Sequence, residues 1–88
     1  MIHTMKFYLA HSYTRDGEYE YGEQFPLAAE NEREAEEKAK KYLLEGYAYS
    51  AEESFDQDDE LDLFVRIVQF DGVREISKSD YEVLRKYH

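Results

Sequence analysis

The sequence predicts a single α+β domain: a four-stranded antiparallel sheet in ββαββα order, with one long helix on one face and a short C-terminal helix. Three observations carry this expectation. Two aromatic-rich alternating stretches flank the turn signal Arg15-Asp16-Gly17, a capped amphipathic run follows, and a strongly apolar stretch then meets Asp71-Gly72. A chain of 88 residues has material for one core. The domain is assigned to residues 5–88, and residues 1–4 are set apart as a disordered segment or an alternative start. So small a domain cannot enclose a large cavity, which places any site at the surface.

Residues 6–14 (KFYLAHSYT) read as the first strand, with Phe7, Leu9, His11 and Tyr13 on one face and Tyr8, Ala10, Ser12 and Thr14 on the other. Residues 19–29 (YEYGEQFPLAA) read as the second, with Tyr19, Tyr21, Glu23, Phe25 and Leu27 sharing a face. Joining apolar face to apolar face favours a three-residue Arg15-Asp16-Gly17 loop. It pairs Tyr13 with Tyr19, His11 with Tyr21, Leu9 with Glu23 and Phe7 with Phe25. A two-residue Asp16-Gly17 turn would instead oppose Tyr13 to Glu20 and Leu9 to Gln24, mixing the faces. Pro26 cannot donate to a ladder, so the second strand belongs at an edge or bends there.

Asn31 followed by Glu34 has capping-box spacing, and Ala35, Ala39, Tyr42 and Leu43 then recur on one helical face. Glu34–Lys38, Glu36–Lys40 and Glu37–Lys41 are i,i+4 pairs in the favoured order, and Gly46 is the expected C-cap. Residues 47–60 break the period and read as a loop, with room for one helical turn after Ser50. Residues 61–70 (LDLFVRIVQF) are apolar on both faces and read as a central strand. Asp71-Gly72 then turns into a short fourth strand, residues 73–76. Ser77 or Ser79 caps a terminal helix over 80–87, with Ile76 and Tyr81 at hydrophobic-staple spacing if Ser77 is the cap.

Charge narrows the function classes. Asp and Glu number 21 against 11 Lys and Arg, for a net −10 and a pI near 4.6. Such a field repels phosphate backbones and attracts basic partners, so direct nucleic-acid binding is not expected. Cysteine is absent, which excludes disulfides and thiolate zinc sites and fits a reducing cytoplasm. No apolar run reaches the length of a membrane span.

Residues 56–62 place carboxylates at calcium-loop positions 1, 3 and 5. Leu61 stands where the loop needs glycine and Ile67 where it needs its bidentate glutamate, so no metal or cofactor is expected. His11, Tyr13, Tyr19, Tyr21 and Glu23 share a predicted face, and a small hydrolase using His11 and Glu23 is one alternative, although no catalytic residues are assigned.

The main candidate surface is residues 45–62: Glu45, Tyr47, Tyr49, Glu52, Glu53, Phe55, Asp56, Asp58, Asp59, Glu60 and Asp62, with Tyr42 beside them. Spaced carboxylates with aromatic anchors suit a basic groove on another protein. The expectation is a small, acidic, non-enzymatic protein-binding module that imitates nucleic-acid phosphates and occupies a nucleic-acid-binding or nuclease complex. Anti-restriction and anti-CRISPR inhibitors act in this way, an analogy of charge and size only. A homo-oligomeric adaptor pairing through a strand edge is the other alternative, opposed by Pro26 and by the shortness of residues 73–76.

Overall fold

A computed structural model describes residues 4–87. Its elements are β1 (Lys6–Asp16), β2 (Tyr19–Ala29), α1 (Glu32–Tyr47), β3 (Glu60–Asp62), β4 (Arg66–Ile76) and α2 (Lys78–Arg85). All pairings are antiparallel and the sheet order is β2-β1-β4-β3. The α+β class, the four-stranded antiparallel sheet and the two helices are as expected, and β2, with Pro26, is an edge strand. Of residues 1–4, set apart in the sequence, the first three lie outside the described residues and Thr4 is exposed.

The β1–β2 register differs from the expected one. Asp16 pairs with Tyr19, so the turn is Gly17-Glu18, with Gly17 at φ +64 in the first turn position. A glycine there is what a type II′ hairpin turn requires. Tyr13 now opposes Gly22, His11 opposes Gln24, Leu9 opposes Pro26 and Phe7 opposes Ala28. The face under α1 is consequently Tyr8, Ala10, Ser12 and Thr14, joined to Tyr21, Glu23, Phe25 and Leu27 of β2. The expected core face of Phe7, Leu9, His11 and Tyr13 is the opposite one.

Side-chain size explains the reversal. Ala10 meets Ala39 and Leu43 in one buried cluster, and Tyr8 meets Ala29 and Ala35 in another. Small groups on both sides let the helix sit close to the sheet. The bulkier Phe7 points the other way, where Tyr81 of α2 stacks on it at 4.6 Å. Burying Ser12 and Thr14 has a cost, because among the described residues neither hydroxyl makes a hydrogen bond of good geometry.

The apolar stretch 61–70 is not one strand. It breaks into β3, a turn at Leu63-Phe64-Val65, and the first half of β4. Asp71-Gly72 is not a turn between strands but a bulge inside β4: His11 opposes Gly72, Ser12 opposes Phe70, and Asp71 is the extra residue. The interior strands are thus β1 and β4, and the blunt edge is the three-residue β3 rather than residues 73–76.

Asn31 caps α1, its side chain accepting the Glu34 N–H at 2.9 Å. The helix runs through Gly46 and ends at the C-cap Ala48, so Gly46 is not the cap. Of the expected i,i+4 pairs, Glu34–Lys38 forms at 3.0 Å. Lys40 bonds instead to Asp59 at 2.6 Å, and Glu37 pairs with Arg33 at 3.5 Å. Ser77 caps α2, accepting the Asp80 N–H at 3.0 Å, and the helix starts two residues before its expected position.

Two stability predictions follow from the sheet. A Cβ at Gly72 would meet nothing within 4 Å, yet its φ is +102. Gly72→Ala therefore isolates conformational strain, and chemical denaturation should show a loss of about 1–2 kcal/mol; an unchanged midpoint would mean that the bulge is pliable. Ser12→Ala removes an unsatisfied hydroxyl and should hold stability or raise it by up to about 1 kcal/mol. A clear loss would reveal a hidden partner for that hydroxyl.

Candidate functional site

The C-terminal end of α1 meets the turn-side half of β1 and β2. Asp16 and Arg66 are directly opposed across β1–β4, and the Asp16 carboxylate accepts from Arg66 Nη2 at 2.7 Å and Nε at 3.0 Å. So held, the guanidinium lies over the Tyr47 ring, 5.4 Å from its centroid. The Tyr47 hydroxyl in turn is 3.2 Å from that of Tyr21 on β2. Asp16 raises the Arg66 pKa above its ordinary value, chiefly through its hydrogen bonds. Burial, followed by the Tyr21 hydrogen bond, pushes the Tyr47 phenol up to about 12.

Beside Tyr47 opens a cleft of about 460 Å³, lined by Glu23, Tyr42, Leu43, Glu45, Gly46 and Tyr47. Gly46 has no side chain to fill it. Glu23 and Glu45 form no ion pair or hydrogen bond with any described residue. The last turn of α1 contains no basic residue, so the negative end of the helix dipole adds to these two charges. The cleft therefore combines uncompensated negative potential with two aromatic faces. Tyr42 is held by stacking on buried Phe25 at 4.4 Å, which fixes one wall.

The acidic stretch 45–62 is less uniform than its composition suggests. Several carboxylates are spent on local structure: Glu53 accepts from the Tyr49 and Ser50 N–H groups, Asp56 from Asp58 at 2.8 Å and Glu60 at 3.1 Å, and Asp62 from Phe64 at 2.9 Å. Asp59 is paired with Lys40. Phe55 packs against the core, and Glu60 is half-buried in β3. Tyr49, Glu52 and Asp58 remain exposed. Of the sequence-predicted residues, only Glu45 and Tyr47 enter the cleft.

Tyr42, placed beside the acidic stretch by the sequence, is a wall of that cleft, and Glu23, which completes it, was not assigned to this surface from sequence. Glu23 alternates with Tyr21 and Phe25, which marks it as facing α1 once the β2 face is known. His11 and Glu23 do not come together. His11 opposes Gln24, with Nδ1 and Nε2 3.2 Å apart, and Glu23 opposes Ser12, so strand alternation sends the two side chains to opposite faces. Among the described residues, no group of three or more His, Asp or Glu side chains is placed to hold a metal ion, and no helix is long and apolar enough to cross a membrane. No protein-family model, curated protein or solved structure matches this chain.

The raised Tyr47 pKa gives a pH signature. A folded-state value of about 12 against 10.0 for the free side chain means that the native state holds this proton more tightly. The resulting stabilisation is complete below pH 10 and is lost as pH rises through about 12. Denaturation midpoints across that window should fall more steeply for the native sequence than for Tyr47→Phe. Parallel curves would show that the phenol is as solvated as in the unfolded chain.

Proposed function

We infer that this chain is a small, non-enzymatic protein-binding module of the cytoplasm, whose acidic, tyrosine-bearing surface meets a basic partner and occupies that partner's nucleic-acid groove. The observation that carries this is the cleft at the end of α1, where Glu23 and Glu45, without an ion-pair partner among the described residues, stand beside the rings of Tyr42 and Tyr47. An arginine fits such a place in two ways at once. Its guanidinium forks onto a carboxylate while its flat face stacks on an aromatic ring. Nucleic acids offer arginine the same pair of contacts, phosphate oxygens and planar bases. The net charge of −10 supplies long-range attraction, and exposed Glu52 and Asp58 extend the anionic surface along the following loop.

The test uses a fluorescent oligoarginine peptide as the probe. Binding should weaken as salt rises, and Glu23→Gln with Glu45→Gln should lower affinity by roughly tenfold, the equivalent of about 1.4 kcal/mol. The control is Glu32→Gln with Glu82→Gln, two exposed changes that alter net charge equally. Equal losses in both double variants would reduce the effect to bulk charge and defeat the assignment of the cleft.

A further inference from the structure

A second surface has different chemistry. In the turn between β3 and β4, Phe64 is 96% exposed, more than any other large apolar side chain described. Its φ is +75, in the left-handed region that bulky residues rarely adopt. The turn itself does not call for an aromatic residue. The Leu63 carbonyl accepts the Val65 N–H at 2.9 Å, Asp62 accepts the Phe64 N–H, and the Leu63 N–H bonds to the Arg66 carbonyl at 2.8 Å. Glycine or asparagine would satisfy the same bonds with less strain. Val65, 61% exposed, stands next to it. The sheet thus ends in a braced apolar knob, with the Asp62 carboxylate at its base and Arg15 and Gly17 beside it.

The complementary shape lies at the other edge of the same molecule. Phe25, Pro26 and Leu27 of β2 and Tyr42 of α1 line an open cleft of about 410 Å³ whose remaining walls are Lys38 and Arg85. Lys38 is tied to Glu34 and to the Ala28 carbonyl, each at 3.0 Å. Arg85 has no partner among the described residues. An apolar floor with the free cation of Arg85 at its rim matches an apolar knob with the Asp62 carboxylate at its base. Because β2 and β3 are the opposite edges of the sheet, a chain cannot fill its own cleft.

We propose that this chain self-associates head to tail, with Phe64 of one copy entering the Phe25–Pro26–Leu27–Tyr42 cleft of the next and Arg85 facing Asp62. The contact is heterologous, so each copy offers one knob and one cleft. It is small beside the roughly 1,200 Å² of a stable interface, and like net charges oppose it at long range. The association is therefore weak, and it strengthens as salt screens the repulsion. Binding to a basic partner responds to salt in the opposite sense, so the two surfaces can be tested separately.

The chain has no tryptophan, which makes Phe64→Trp a single reporter. Its emission should shift to shorter wavelength as protein concentration rises, and sedimentation equilibrium should show average masses above the 10.5 kDa of one chain. Phe64→Ala and Arg85→Glu should each weaken association by about tenfold or more, the range expected from removing a buried phenylalanine or a rim charge. Both positions are exposed, and unchanged circular dichroism verifies the fold. Mixing the two variants should restore one contact per pair and stop at a dimer, because the first keeps its cleft and the second keeps its knob. A strictly monomeric chain at millimolar concentration and elevated salt overturns the proposal. Association that survives Phe64→Ala unchanged overturns it equally.

Discussion

One extra residue in β4 decides which side of the sheet each half of that strand serves. Before the bulge, Val68 and Phe70 face α1; without it, regular alternation would continue the row with Gly72, Arg74 and Ile76. Asp71 shifts the phase, so Val73 joins Val68 and Phe70 beneath the helix and Ile76 turns to the far face opposite Phe7. Both helices depend on this shift. The α1 core receives Val73 opposite Ala10, where unshifted alternation would place Gly72, and Phe7 gains Ile76 in place of Glu75 as its cross-strand neighbour, beside its stack with Tyr81. Gly72, with its positive φ, makes the bulge sterically possible.

Much of the architecture is legible in local signals because those signals act locally. The Asn31 cap, the Ala35–Ala39–Leu43 stripe and the Ser77 cap involve neighbours within a turn or two of helix; the first two stand where the sequence puts them, and Ser77 is one of the two caps it offers. Strand register is a different matter, since it depends on which face wins the competition for burial. Counting apolar side chains favours Phe7, Leu9, His11 and Tyr13, and the Ser12 and Thr14 hydroxyls argue against the other face. Close approach of an alanine-striped helix outweighs both considerations. The break at Leu63-Phe64-Val65 was hidden for a related reason: an unbroken apolar run has no glycine or proline to mark a turn, and this turn forces phenylalanine into a conformation that glycine would adopt freely.

The candidate site was half legible. Composition located an acidic, aromatic stretch, and Glu45 and Tyr47 are indeed at the cleft, but composition cannot distinguish a free carboxylate from one that shapes a loop. Asp56 and Glu53 hold the backbone of residues 49–60, and Asp59 joins that loop to α1 through Lys40. Their negative charge is still felt at a distance, yet their oxygens are occupied. The partner of Glu45 in the cleft, Glu23, comes from a strand 22 positions earlier in the chain. Only the fold brings these two like charges to one place, beside the negative end of a helix dipole that a cation would favour.

Tyr42 connects the two surfaces. Its ring, fixed on Phe25, is a wall of the acidic cleft on one side and of the apolar cleft on the other. A wall set by the core does not have to move when either side is filled, so the two contacts need not exclude each other. They are nevertheless linked through charge. Each cation bound in the acidic cleft reduces the net negative charge that keeps copies apart, and thermodynamic linkage requires that association of copies raise affinity for the cation by the same factor. The proposed head-to-tail contact and the proposed recognition of a basic surface would therefore reinforce each other. Along an extended basic groove, successive copies of a small module would do what a single copy cannot, and present a continuous row of anionic, aromatic clefts.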